Sequence, residues 1–164
     1  AVQCIDTARK DGKLADEVAA VYSALDLAGI KADSAATNIG SAIFANKPGD
    51  GSAREQAASC QRVLGGAANF AKEYATKRYR SNCINWGMLP FLVENPEIFD
   101  NGDYIFLPGV RAALLNADAE MPAYAVKLNG DGNVKKFSVK LGALTDAERQ
   151  ILADGCLINY YKNN

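Results

Sequence analysis

Leu14, Val18, Val21, Leu25 and Ala28 recur at the three-and-four spacing of one helical face, and Gly29 follows them. The spacing predicts an amphipathic helix over 13–28 that stops at the glycine. Residues 30–40 are small and polar, without a period. Ile43 and Phe44 lie in a short apolar run that reads as a buried strand. Lys47-Pro48-Gly49-Asp50-Gly51 stacks one proline and two glycines, so a loop is expected there. A second helix is predicted from Ser52 to about Val63, ending before Leu64-Gly65-Gly66.

The second half mixes both periods. Over 67–86 the alanine content favours helix, with Ala67 to Phe70 as an alternative short strand. Met88 to Val93 and Tyr104 to Leu107 are apolar stretches bounded by Pro90, Pro96, Asn101 and Gly102, and read as strands or strand-like segments. Val110 to Leu115 reads as a short helix. Ala123 to Leu128 and Val134 to Leu141 flank Asn129-Gly130-Asp131-Gly132-Asn133, a hairpin signal. Thr145-x-x-Glu148 is a capping box, so a helix is predicted from there to Asp154. Gly155 should end or bend it before Cys156 to Tyr161. The order is that of a mixed α/β protein, and 164 residues suit a single domain over 1–164.

Composition narrows the chemistry more than the fold. There is no histidine. Ser-His-Asp triads, Cys-His dyads and histidine-ligated metals are therefore excluded within this chain, and a general base must be a carboxylate, Lys, Tyr, Cys or an activated Ser. Cys4, Cys60, Cys83 and Cys156 form no C-x-x-C pair and match no common zinc or iron–sulfur spacing. They read as mostly buried, reduced thiols of a cytoplasmic protein. No run of 18 apolar residues is present, so no membrane partner is expected. The chain does not begin with Met and reads as a trimmed subunit or a piece of a longer chain.

Charge is nearly balanced, at −1 overall, but it is uneven along the chain. Arg54, Arg62, Lys72, Lys77, Arg78 and Arg80 face only Glu55 and Glu73 between Ser52 and Arg80. A positive segment in an acidic chain suits a small anion better than nucleic acid. Its start, Gly49-Asp50-Gly51-Ser52-Ala53-Arg54-Glu55, carries the candidate chemistry. Two glycines let the backbone bend and let a ligand approach the main chain. The helix expected next would present unpaired N–H groups and partial positive charge to an anion. Arg54 could grip a carboxylate at two points. Ser52-x-x-Glu55 is equally a capping box, and a cap needs no further function.

Gly49-Asp50-Gly51-Ser52-Ala53-Arg54-Glu55-Gln56-Ala57-Ala58 resembles the G-x-G-S-S-R-E-H-A-A motif of the aconitase family. Leu64-Gly65-Gly66 follows the same family's pattern. Tyr79-Arg80-Ser81-Asn82-Cys83-Ile84-Asn85-Trp86-Gly87-Met88-Leu89-Pro90-Phe91 resembles its I-H-R-x-N-x-x-x-x-G-x-L-P-L stretch. The likeness covers about residues 43–115 and leaves 1–40 unaligned. It implies the three-layer β/β/α swivelling domain found at the C-terminus of aconitase-type hydratases, or the small subunit of an isopropylmalate-isomerase-type enzyme.

The same resemblance implies roles. Ser52 takes the place of the base that removes a proton from a substrate carbon, and Arg54 that of the residue binding a substrate carboxylate. Gly51 and Ala53 flank them as substrate-binding positions. A [4Fe-4S] cluster, acting as Lewis acid on the substrate hydroxyl, would be bound by the remaining domains or a large subunit and not by this chain. The substrate would be a hydroxy di- or tricarboxylate, and the isolated chain would be inactive. Three departures bear on the substrate. Ala53 replaces a serine, Gln56 replaces a histidine, and the histidine of the later stretch is lost, with Arg78 or Tyr79 in its neighbourhood. A non-catalytic module binding a small anion or RNA is the alternative. Cys60 and Cys83 read as core or helix-face thiols and not as nucleophiles, Trp86 as a packing residue, and Lys77, Arg78 and Arg80 as a solvated face or a docking surface.

Overall fold

The computed structural model describes residues 2–128 and 133–163, with side chains from residue 5 onward. The chain is mixed α/β, with a six-stranded mixed sheet in the order β1-β2-β3-β6-β5-β4. Two compact units share the chain. One comprises residues 1–39, 95–108 and 122–138, and the other residues 40–94, 109–121 and 139–164.

The first unit opens with α1 (Val2–Lys10) and α2 (Asp16–Leu27). The sequence pattern did not foretell α1, because its nine residues carry few apolar positions. Tertiary bonds hold it instead. The Arg9 guanidinium is buried and donates to the Ser34 carbonyl at 2.6 Å, the Ala35 carbonyl at 3.1 Å and the Asp6 carboxylate at 3.0 Å. Asp6 in turn accepts from the Ile39 amide at 3.0 Å. The polar stretch 30–40 is thereby stitched to a helix. α2 follows the middle of its expected face: Val18, Val21 and Leu25 are buried, Leu14 before the helix and Ala28 at its C-cap are exposed, and the chain turns at Gly29. Val21 and Leu25 pack with Val126, Tyr104 and Phe106. β4 (Tyr104–Phe106) pairs antiparallel with β5 (Glu120–Val126). β6 (Val134–Lys140) completes the expected ribbon, with the Lys127 amide on the Asn133 carbonyl at 3.1 Å. Asn129 to Gly132 of the hairpin turn lie outside the described residues.

The second unit is built on three parallel strands: β1 (Ser41–Ala45), β2 (Gly66–Ala71) and β3 (Leu89–Leu92). Residues 67–71 are therefore strand, the minor of the two readings. β2 is the inner strand and is almost wholly buried, while β1 is an edge. Ile43 and Phe44, expected inside, are 48% and 40% exposed for that reason. Pro90, expected at a boundary, lies inside β3. The rings of Phe70 and Phe91 stack across β2 and β3 at 5.4 Å.

The helices of this unit are α3 (Arg54–Val63), α4 (Lys77–Asn85), α5 (Val110–Leu115), α6 (Asp146–Ala153) and α7 (Leu157–Asn163). α5 matches its expected bounds. α6 carries the expected capping box: the Thr145 hydroxyl accepts from the Glu148 amide at 3.2 Å, and Glu148 accepts from the Thr145 amide at 2.8 Å. Gly87 ends α4 with φ +73°, and a Cβ there would lie 1.6 Å from the Gly155 carbonyl oxygen. Two chain reversals thus meet backbone to backbone, which only glycine permits.

Candidate active site

In open sheets with parallel strands, ligands collect beyond the carboxyl ends of the strands. β1 and β2 are neighbours and parallel, so the loop after Ala45 and the loop after Ala71 leave the same edge side by side. They are zipped together. The Glu73 amide donates to the Asn46 carbonyl at 3.1 Å, and the Ala75 amide to the Pro48 carbonyl at 2.9 Å. The Gly49 carbonyl accepts both the Thr76 hydroxyl at 3.2 Å and the Arg54 Nε at 3.2 Å. Lys47 pairs with Glu73 at 2.8 Å on the outside.

Gly49 has φ +95°, and a Cβ there would fall 2.5 Å from the Tyr79 Cβ and 2.6 Å from the start of its ring. The loop therefore rests directly on Tyr79. Beyond Gly49 it rises free. Asp50, Gly51, Ser52 and Ala53 are exposed, and an added Cβ at Gly51 would meet nothing within 4 Å.

α3 begins at Arg54, two residues later than its sequence foretold, and Ala53 occupies the N-cap position without a side-chain hydrogen bond. The expected capping box of Ser52 and Glu55 does not form. Ser52 precedes the cap, and the Glu55 carboxylate accepts the Trp86 indole N–H at 3.0 Å instead. Among the described residues the Ser52 hydroxyl has no hydrogen-bond partner. The first-turn N–H groups of α3, lacking a side-chain cap, leave partial positive charge beside it.

Beneath the loop lies a buried polar cluster. Asn69, on β2 and 2% exposed, donates to the Tyr79 hydroxyl at 3.1 Å and to the Cys83 sulfur at 3.3 Å, and accepts from Gln61 Nε2. Tyr74 donates to the Phe91 carbonyl at 3.3 Å and the Asn69 carbonyl at 3.4 Å. These bonds lock α3, β2 and α4 together. Burial pushes the Cys83 thiol up to about 11 and the Tyr79 hydroxyl up to about 12. Cys83 is a packed, protonated thiol and no nucleophile. Cys60 is a helix-face thiol, exposed on α3, and Cys156 is half-buried.

Arg80 departs from the solvated face expected of it. It is half-buried and donates to the Leu141 and Ala143 carbonyls, each at 2.9 Å. Arg62 donates to the Gly66 carbonyl at 2.8 Å. Lys72, Lys77 and Arg78 remain exposed. Trp86 does pack, against Ala58, Tyr79, Cys83 and Met88, but it also carries the bond to Glu55. Sequence reasoning missed Thr76 altogether. Its signal was a threonine directly before a helix, the ordinary N-cap pattern.

Three described cysteines with one buried on Asn69 are not a cluster ligand set, and among the described residues no group of three or more His, Cys, Asp or Glu is placed to hold a metal ion. The described residues offer no ligand set that fits a resident [4Fe-4S] cluster. Nor, among the described residues, is any helix long and apolar enough to cross a membrane.

The aconitase C-terminal domain family matches residues 29–96, a span holding the loop, α3, β2, α4 and β3. Residues 29–96 belong to the aconitase C-terminal domain family. It is also similar to the methanogen homoaconitase small subunit of Methanocaldococcus jannaschii, with 32% identity over 114 residues. That alignment takes in 70% of this chain and 56% of the relative, so the chain spans little more than half the length of the curated protein it matches.

Proposed function

We propose that this chain is the small-subunit or swivel-domain part of an aconitase-type hydro-lyase acting on a hydroxy di- or tricarboxylate. The observation that carries the reading is the uncommitted Ser52 hydroxyl at the N-terminus of a helix that has no side-chain cap. Ser52 serves as the base. As an alkoxide it takes the proton from the carbon next to a substrate carboxylate, and in the hydration direction it returns that proton. The positive end of α3 favours the alkoxide over the alcohol. Arg54 binds a substrate carboxylate. Its Nε is spent on the Gly49 carbonyl, which fixes the guanidinium and turns its two terminal nitrogens to a two-point grip. Gly51 and Ala53 line the approach, and the missing side chain at Gly51 leaves room for the ligand.

The partner is a large subunit, or further domains, bearing the iron–sulfur cluster, and no step assigned to this chain passes through it. The similarity to a homoaconitase small subunit supports that division. A cytoplasmic setting goes with the reading. A purely anion- or RNA-binding module is less well supported, because Arg54, Arg62 and Arg80 of the basic segment each donate to main-chain carbonyls. Co-purification with the cluster-bearing partner, followed by hydration assays across hydroxy di- and tricarboxylates, tests the proposal. The pair should turn over at least one such acid and the chain alone none. A pair with an intact cluster and no turnover on any of them would remove it.

A further inference from the structure

The Thr76 hydroxyl has two jobs. As N-cap of α4 it accepts from the Tyr79 amide at 3.2 Å, and it donates to the Gly49 carbonyl at 3.2 Å. The first bond is an ordinary cap. The second lands on the carbonyl that Arg54 also grips, three residues before Ser52. On the β2 side, the Asn46, Pro48 and Gly49 carbonyls are all held by residues 73–76, and the Arg54 Nε is the remaining bond at Gly49. Past Gly49 that support ends, so Thr76 sets where the exposed turn begins.

We infer that Thr76 is a positioning residue for the Ser52–Arg54 turn, acting through the Gly49 carbonyl, and that capping α4 is a separable role of the same hydroxyl. The inference rests on the substrate reading of that turn. A hydroxyl is suited to both tasks because it accepts and donates at once. The substitutions that separate them follow from donor and acceptor capacity. Serine keeps both bonds. Aspartate caps a helix at least as well as threonine, and its charge suits the N-terminus of α4, but an ionised carboxylate has no proton to give Gly49.

The test uses Thr76→Ser and Thr76→Asp in the complete enzyme, with two readouts. Trypsin cleavage after Arg54 reports the order of the turn without reference to activity. KM for the carboxylate substrate reports its alignment. Thr76→Ser should match wild type on both. Thr76→Asp should keep a near-normal melting temperature, yet be cut several-fold faster and show KM raised roughly tenfold or more, the scale of one lost positioning contact. Wild-type cleavage and wild-type KM in Thr76→Asp would reduce Thr76 to a helix cap and overturn the inference. Faster cleavage with unchanged KM would overturn it equally, since the turn would then be ordered by Thr76 without serving substrate. Ser52→Ala is run alongside. If it retains full turnover, the substrate reading itself has failed, whatever Thr76 does.

Discussion

The Trp86 indole N–H donates to the Glu55 carboxylate at 3.0 Å across thirty-one residues of sequence. It joins the first turn of α3 to the end of α4, and so ties together the two stretches of sequence that carry the family likeness. The capping box at Ser52 is absent because α3 starts at Arg54 with Ala53 as its cap, which leaves Ser52 before the helix, and the glutamate side chain is engaged with Trp86 instead.

Trp86 is the sole tryptophan, so this bond has a clean optical readout. Glu55→Ala should move the emission to longer wavelength as the α3 terminus loosens over the indole. Glu55→Gln keeps an acceptor and should leave the spectrum near wild type. The stability cost of Glu55→Ala should stay below about 1 kcal/mol, because the bond is exposed. Identical spectra for all three proteins would show the bond absent in solution.

Asn69 should be among the least replaceable polar residues. Asn69→Leu removes a buried bond from each of Gln61, Tyr79 and Cys83, while Gln61 Nε2 keeps the Ala68 carbonyl and the Tyr79 hydroxyl keeps Gln61. Each lost bond contributes about 0.5–1.5 kcal/mol, so urea unfolding should show a loss of roughly 2–4 kcal/mol. Thr37→Ala, at an exposed turn, should cost under ~1 kcal/mol.

Gly87 and Gly102 both have positive φ, yet they should respond differently to alanine. At Gly102 nothing lies within 4 Å of an added Cβ, so only the backbone penalty of about 1–2 kcal/mol applies. At Gly87 the methyl would overlap the Gly155 carbonyl, and Gly87→Ala should cost several kcal/mol, roughly 4 or more. Equal melting points for the two variants would show that the two reversals do not meet there.

The buried thiol makes stability fall at high pH. A thiol freed by unfolding gives up its proton near pH 9, whereas burial holds the Cys83 proton to about 11. The native state therefore binds more protons over this window. Its contribution is fully present below pH 9 and is lost as pH rises to about 11, and the Tyr79 hydroxyl at about 12 extends the fall. Urea midpoints measured from pH 8 to 11 should decline, and Cys83→Ala should flatten the decline. Under native conditions at pH 8 a thiol reagent should label exposed Cys60 well before Cys83.

Local signals made much of the fold legible. The α2 face, the Thr145 capping box and the α5 bounds each depend on residues a few positions apart. What the sequence did not disclose depends on tertiary partners. α1 has few apolar positions and stands on the buried Arg9. The exposure of Ile43 and Phe44 follows from β1 lying at a sheet edge, which no local pattern encodes. At the site, motif likeness picked out Ser52 and Arg54, but the contacts that shape their turn come from Thr76 and Tyr79, more than twenty residues on. The capping box at Ser52 was a false local reading, because α3 starts at Arg54 and Ser52 precedes its cap, with the glutamate side chain turned to Trp86.

That false reading sharpens the decisive experiment. Ser52 caps nothing, so Ser52→Ala should change stability by less than about 0.5 kcal/mol. Arg54→Lys keeps the charge and loses the planar grip, and should mainly raise KM. The most direct measurement is turnover by Ser52→Ala in the complete, cluster-loaded enzyme, with a melting curve of the same preparation. A fall of about 10²–10⁴-fold, the scale of a lost general base, at unchanged melting temperature is the predicted result. Near-normal turnover would contradict the account, leaving the loop after β1 as an exposed turn without a catalytic serine.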